Sequence, residues 1–168
     1  MPLSMYQASA PAFLQMLSAL NIILDKAEAD AAQRKIDPSV LLNYRLAPDM
    51  FAFTRQIQLT TDFAKGPMSR LAGVEIPKYE DTEATLPELR ARIAKTIAYV
   101  KSFKPDAIDG SEAREITFPV GGKPMTFKGQ DYLVNFALPN FYFHATTAYA
   151  ILRHCGVPVG KGNFLGRS

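Results

Sequence analysis

Along much of this chain apolar residues return at alternating steps of three and four, the period of a helix with one buried face. The first such segment runs from about Ser4 to Lys35 and carries the stripe Phe13, Leu17, Leu20, Leu24, Ala27 and Ala31. Pro11 lies early in it and is expected to bend its first turns or delay its start. The connection "IDPSVLLNYRLAPD" follows, punctuated by Pro38 and Pro48, with room for one helical turn. A second helix is expected to begin near Asp49, whose charge suits a helix N-terminus. Met50, Phe53, Ile57, Thr61 and Ala64 form its central face, and Gly66-Pro67 is expected to break or kink it. After a loop from Val74 to Thr85, rich in proline and acids, Thr85 opens a third helix. Glu88 stands where it can reach back to that cap, and Leu86, Leu89, Ile93, Thr96, Val100 and Phe103 form the stripe.

The period then changes. "REITFPVGGKPMTFKG" holds two short alternating runs around Gly121-Gly122, the pattern of a β-hairpin. A two-stranded ribbon needs a surface to pack on. The fourth long helix spans about Gln130 to Cys155, closed by Gly156 with Pro158 beyond it, and the tail "VPVGKGNFLGRS" reads as irregular. Four long helices around one core define an all-α four-helix bundle with a small hairpin inserted before the last helix. No repeat, linker or second core interrupts residues 1–168, so one domain is expected.

Composition narrows the function classes. The 168 residues include 19 basic and 16 acidic side chains, a net charge of +3. Those charges are interspersed, and without a clustered cationic stripe nucleic acid is not an expected partner. One cysteine, Cys155, excludes an intrachain disulfide and any cysteine-based zinc cluster. It reads as a small buried hydrophobe near a helix end. No continuous run approaches the ~20 apolar residues of a membrane span, and the N-terminal stretch lacks a basic leader region. No membrane is expected, and the cytoplasm is the default compartment. "GVPVGKGN" has the wrong glycine spacing for a phosphate loop, follows a helix, and places no Ser or Thr after Lys161.

The chemistry-bearing stretch is "LPNFYFHATTAYAILRHCGV", which holds both histidines. At about 3.6 residues per turn, Leu133, Ala137, Asn140, His144, Ala148, Ile151 and Cys155 share one narrow, core-facing arc. His154 lies about 80° around and about 15 Å along the axis from His144, so the two cannot share a metal ion. Pro139 frees the carbonyl of Asn135, and the helix is expected to bend just before the Asn140–His144 pair. On the second helix, Gln58 and Asp62 sit one turn apart on one flank, with Gln56 and Thr60 on the other. A polar pocket of His144 and Asn140, with Gln58 or Asp62 as neighbours, is the expected site. Three readings of His144 stay open: a hydrogen-bonded core histidine, a small-molecule pocket residue, or a metal ligand. Asp62 also suits a plain pair with Lys65, while Arg45 and Asp49 suit a salt bridge and a cap that fix their loop.

"RLAPDMFAFTRQIQLTTDFAKGPMSRLAG" and "YLVNFALPNFYFHATTAYAILRHCGVPVGKGNFLG" resemble an uncharacterised branch, a domain of unknown function, of the DinB-like four-helix-bundle superfamily. The resemblance covers nearly the whole chain. It implies an up-and-down bundle with one long crossover, often dimeric, and in many members a divalent metal on three histidines. One of these comes from the second helix and two from a His-x-x-x-His pair on the last. His144 matches one of that pair, but the positions four residues away are Asn140 and Ala148, and the second helix has no histidine. The expectation is therefore a homodimeric small-ligand-binding or interaction protein without a metal cofactor. The alternative is a DinB-like hydrolase or transferase with zinc or nickel on a reduced site of His144, Asp62 and Asn140. Leu59 and Phe63, opposite the core face of the second helix, are the candidate dimer contacts.

Overall fold

The computed structural model describes residues 3–167. Helix α1 (Met5–Arg34) starts at a capping box in which the Ser4 hydroxyl accepts from the Gln7 amide. Pro11 neither delays nor ends it. A short α2 (Pro38–Leu42) is capped by Asp37. Helix α3 (Phe53–Ala72) begins four residues later than Asp49, which lies in a turn, and its N-cap, Ala52, offers no side chain. Arg45 fixes this entry by donating to the Met50 carbonyl at 2.6 Å rather than by pairing with Asp49. Gly66-Pro67 does not end α3 either. Both are buried, and the packed face carries the helix past the one hydrogen bond a proline removes. Helix α4 (Leu86–Lys101) has the expected Thr85/Glu88 capping box, and a short α5 (Pro105–Ile108) follows.

Strands β1 (Glu115–Val120) and β2 (Lys123–Lys128) pair antiparallel, with Val120 opposite Lys123 closing a two-residue turn. Gly121 and Gly122 have φ of 57° and 81°, the left-handed pair that a tight hairpin turn demands. The last long helix is built in three pieces: α6 (Gly129–Asp131), a π-helical segment (Tyr132–Ala137) and α7 (Leu138–His154). In place of a simple bend before Pro139, the widened turn bonds the Leu138 amide to the Leu133 carbonyl. The tail is not wholly irregular, since α8 (Lys161–Phe164) forms one turn that packs on α1.

The core unites all four long helices. Phe13, Leu17, Leu20 and Leu24 of α1 are fully buried with Ile57 and Leu71 of α3, Leu89 and Ile93 of α4, and Phe141 and Ile151 of α7. Phe13 meets Phe141 edge-on at 4.8 Å between centroids, so the first and last helices share that interior. Among the described residues α1 alone is long and apolar enough to cross a membrane, with a mean hydropathy of 1.2 over its most apolar window. Its apolar stripe is the part that fills the bundle.

Where β2 turns into α6, Gly129 passes directly over the chain at Ser111. A Cβ there would lie 2.0 Å from the Ser111 carbonyl oxygen, and backbone cannot step aside as a flexible side chain can. Gly129→Ala should therefore lower stability by about 1–3 kcal/mol, read as a lower urea midpoint. An unchanged midpoint would show that the contact carries no constraint.

Candidate functional site

His144 lies on α7 with 8% of its surface exposed. Its Nδ1 is 2.8 Å from Oε1 of Gln56 on α3. The Gln56 amide nitrogen donates to the Phe51 carbonyl at 3.1 Å, which turns the amide oxygen towards the imidazole. Nδ1 is thus the protonated nitrogen, and Nε2 keeps its lone pair. The ring stacks on Phe63, 5.6 Å between centroids at 22°, and meets Phe143 edge-on. Burial, helped by the nearby Arg55 charge, pushes its pKa down from 6.5 to about 4, so His144 is neutral at physiological pH.

The expected neighbours do not join it. Asn140, half-buried, donates its side-chain amide to the Phe136 carbonyl one turn back at 2.7 Å. Gln58 accepts from Arg55 and donates to Glu83 at 2.8 Å. Asp62 pairs with Lys65, as its spacing suggests, and with Arg92 at 3.0 Å. Gln58 and Asp62 therefore belong to a network centred on Arg92, on the other flank of α3 from Gln56. Arg92, only 4% exposed, donates to Thr61 at 2.7 Å and pairs with Asp62, Asp81 and Glu83. The signal for it was an arginine set between Leu89, Ile93 and Thr96 on an apolar stripe, where a cation needs several partners.

A cleft of about 280 Å³ opens between α3, β1 and the π segment, lined by Asp62, Phe63, Lys65, Gly66, Arg70, Ile76, Phe118, Pro119 and Phe136. Phe63 belongs to both places, lining the cleft and stacking on His144. Arg70 lies 4.4 Å over the Phe118 ring and donates to the Tyr132 hydroxyl at 3.1 Å. Burial raises the Tyr132 pKa, against the opposing pull of the Arg70 charge, so the phenol stays neutral. The π segment supplies two of these aromatic rings, Tyr132 and Phe136. Such segments often mark functional positions.

A divalent metal does not fit the donors around His144. One imidazole and the Gln56 amide oxygen fall short of the three strong protein ligands of a catalytic zinc site, and an amide is a poor ligand for zinc or nickel. The reduced set of His144, Asp62 and Asn140 is not brought together, since Asp62 is held by two cations and Asn140 by its own helix. Among the described residues no group of three or more His, Cys, Asp or Glu is placed to hold an ion. His154 lies apart against the Tyr44 ring.

A four-helix core, a hairpin ahead of the last helix and a lone inward histidine on that helix define a DinB-like bundle protein. Residues 5–165 match the family described as Domain of unknown function (DUF1993), and the chain belongs to that family. A crystal structure of a DinB family member protein from Shewanella denitrificans is 43% identical, covers 97% of this chain and 92% of its own, and superposes with a TM-score of 0.87. No curated protein matches the chain. The expected family and fold are thus borne out together.

The depressed histidine pKa has a sign that can be measured. The unfolded chain takes up a proton at His144 below pH 6.5, whereas the folded chain does so only near 4. Stability contributed by the neutral ring is therefore complete above about pH 6.5 and declines as pH falls towards about 4. His144→Phe should flatten the pH dependence of the urea midpoint within that window. A variant that keeps the wild-type slope would remove His144 as its source.

Proposed function

We propose that this protein is a small-ligand-binding DinB-like bundle that works without three-histidine metal chemistry and holds its ligand in the cleft beside Phe63. The observation that carries this reading is the cleft itself, an open, aromatic-walled cavity with a few fixed polar groups beside the hairpin. The donor set around His144 supports the metal-free part. Fragments carrying one aromatic ring should shift the NMR signals of Phe63 and Phe136 in chelator-treated protein, with no added metal. Binding that needs zinc or nickel would instead favour the enzyme reading, a metal-dependent hydrolase or transferase. That reading draws its one support from the free Nε2 lone pair of His144.

The same proposal places the protein in the cytoplasm as a homodimer, with a different contact face from Leu59 and Phe63. Phe63 is engaged by His144 and Phe136 within its own chain, and Leu59 is half-buried. Leu46, Tyr142 and Phe143 are 42%, 39% and 55% exposed and line one shallow groove. Clustered apolar exposure of this kind suits a partner surface better than scattered apolar residues do. Light scattering should give twice the 18.6 kDa chain mass, and Phe143→Glu should return it to one. A wild-type monomer at high concentration overturns the dimer.

A further inference from the structure

We propose that the cleft binds a small monocarboxylate with a single aromatic ring, and that Arg70 is the residue that takes its carboxylate. This inference rests on the ligand-binding reading above and names its ligand class. The charges around the cleft are unequal in kind. Lys65, 6% exposed, is neutralised by Asp62 and covered by the Tyr79 ring at 4.4 Å. Asp62 is in turn shared with Arg92. Arg70, five residues beyond Lys65 on α3, makes no ion pair among the described residues and spends one N–H on the neutral Tyr132 hydroxyl. A guanidinium has five N–H donors in a planar fork. With its face covered by Phe118 at 4.4 Å, its edge remains for an acceptor.

The pairing chemistry selects the ligand. A planar fork matches a carboxylate with two parallel hydrogen bonds. One uncompensated cation balances one negative charge, whereas a phosphate dianion or dicarboxylate would bring a second charge that Lys65 is already committed against. The other walls are rings: Phe136 lies 6.0 Å from Phe63 and 5.2 Å from Phe118 between centroids. They favour an aromatic body, which can stack or meet them edge-on. A volume of about 280 Å³, at the lower edge of the ~300–1,000 Å³ of pockets that enclose drug-sized ligands, suits a body of one ring with a short arm.

Calorimetric titration of the full chain with phenylacetate, benzyl alcohol and acetate tests this, together with Arg70→Gln and Arg70→Lys. Phenylacetate should bind saturably and most tightly, benzyl alcohol and acetate each at least about tenfold more weakly. Arg70→Gln should weaken phenylacetate by about tenfold or more, the scale of a lost charged hydrogen bond, and leave benzyl alcohol unchanged. Arg70→Lys should fall between. The ranking of the three compounds on wild-type protein stands even if a variant fails to fold. Equal binding of phenylacetate and benzyl alcohol, or an indifferent Arg70→Gln, overturns the carboxylate assignment and leaves the ligand-binding reading intact. Acetate as tight as phenylacetate overturns the aromatic part. If neither ring compound binds, both this inference and the cleft reading fall.

Discussion

A guanidinium taken out of water must have its charge and its donors answered inside the protein, and Arg92 meets that demand through three separate pieces of chain. It joins Thr61 and Asp62 of α3 to Glu80, Asp81 and Glu83 of the loop before α4, while standing on α4 itself. Arg55 pairs with Asp81 and Lys65 with Asp62. The network thus sets Arg55, Lys65 and Arg92 against Asp62, Asp81 and Glu83, and it closes on itself without surplus charge. Its consequence reaches the cleft, because the loop it ties down carries Tyr79, which covers Lys65, and Ile76, which lines the cavity wall. Only at Arg70, beyond this network, does α3 present a cation without a counter-charge.

The opposite wall has a different origin. Pro139 cannot donate a backbone hydrogen bond, and the chain before it winds as a π turn. A wider turn shifts the angular position of every side chain upstream, which changes the direction in which Tyr132 and Phe136 leave the helix. Both rings gather with Phe118 and Phe127 of the hairpin, Tyr132 meeting Phe118 edge-on at 5.5 Å. Ile116 buries the start of the hairpin in the main core, and Phe118 and Phe136 belong both to the aromatic cluster and to the wall of the cleft.

Much of this was legible along the chain, and the failures have a common cause. The hairpin could be read from Gly121-Gly122, the third helix from Thr85 and Glu88, and the inward arc of the last helix from its spacing, because each depends on neighbours in sequence. Asp49 looks like a cap, but α3 starts at Phe53, which is fully buried in the tertiary core and whose amide bonds the Tyr44 carbonyl at 2.9 Å. Continuation through Gly66-Pro67 is likewise a gain from packing that local propensity does not contain. The partner of His144 was missed by a rotation. Gln56 and Gln58 occupy opposite flanks of α3, and only the way α3 lies against α7 selects which of them faces the imidazole.

That selection sets the orientation of the imidazole. A histidine that serves a metal has its second nitrogen held by a neighbouring acceptor, and the Gln56 oxygen holds Nδ1 of His144 in just that fashion. One turn to either side of His144 on α7 stand Asn140 and Ala148, neither of them a strong metal donor. The bundle needs no such donor to fold, since its interior is filled by Phe13, Phe141 and their aliphatic neighbours. The oriented, neutral imidazole then becomes a flat surface for Phe63 to stack on. Phe63 is also a wall of the cleft, so a molecule entering there meets a ring whose position is set by His144. The histidine acts on the cleft through packing, with its proton fixed and its charge suppressed.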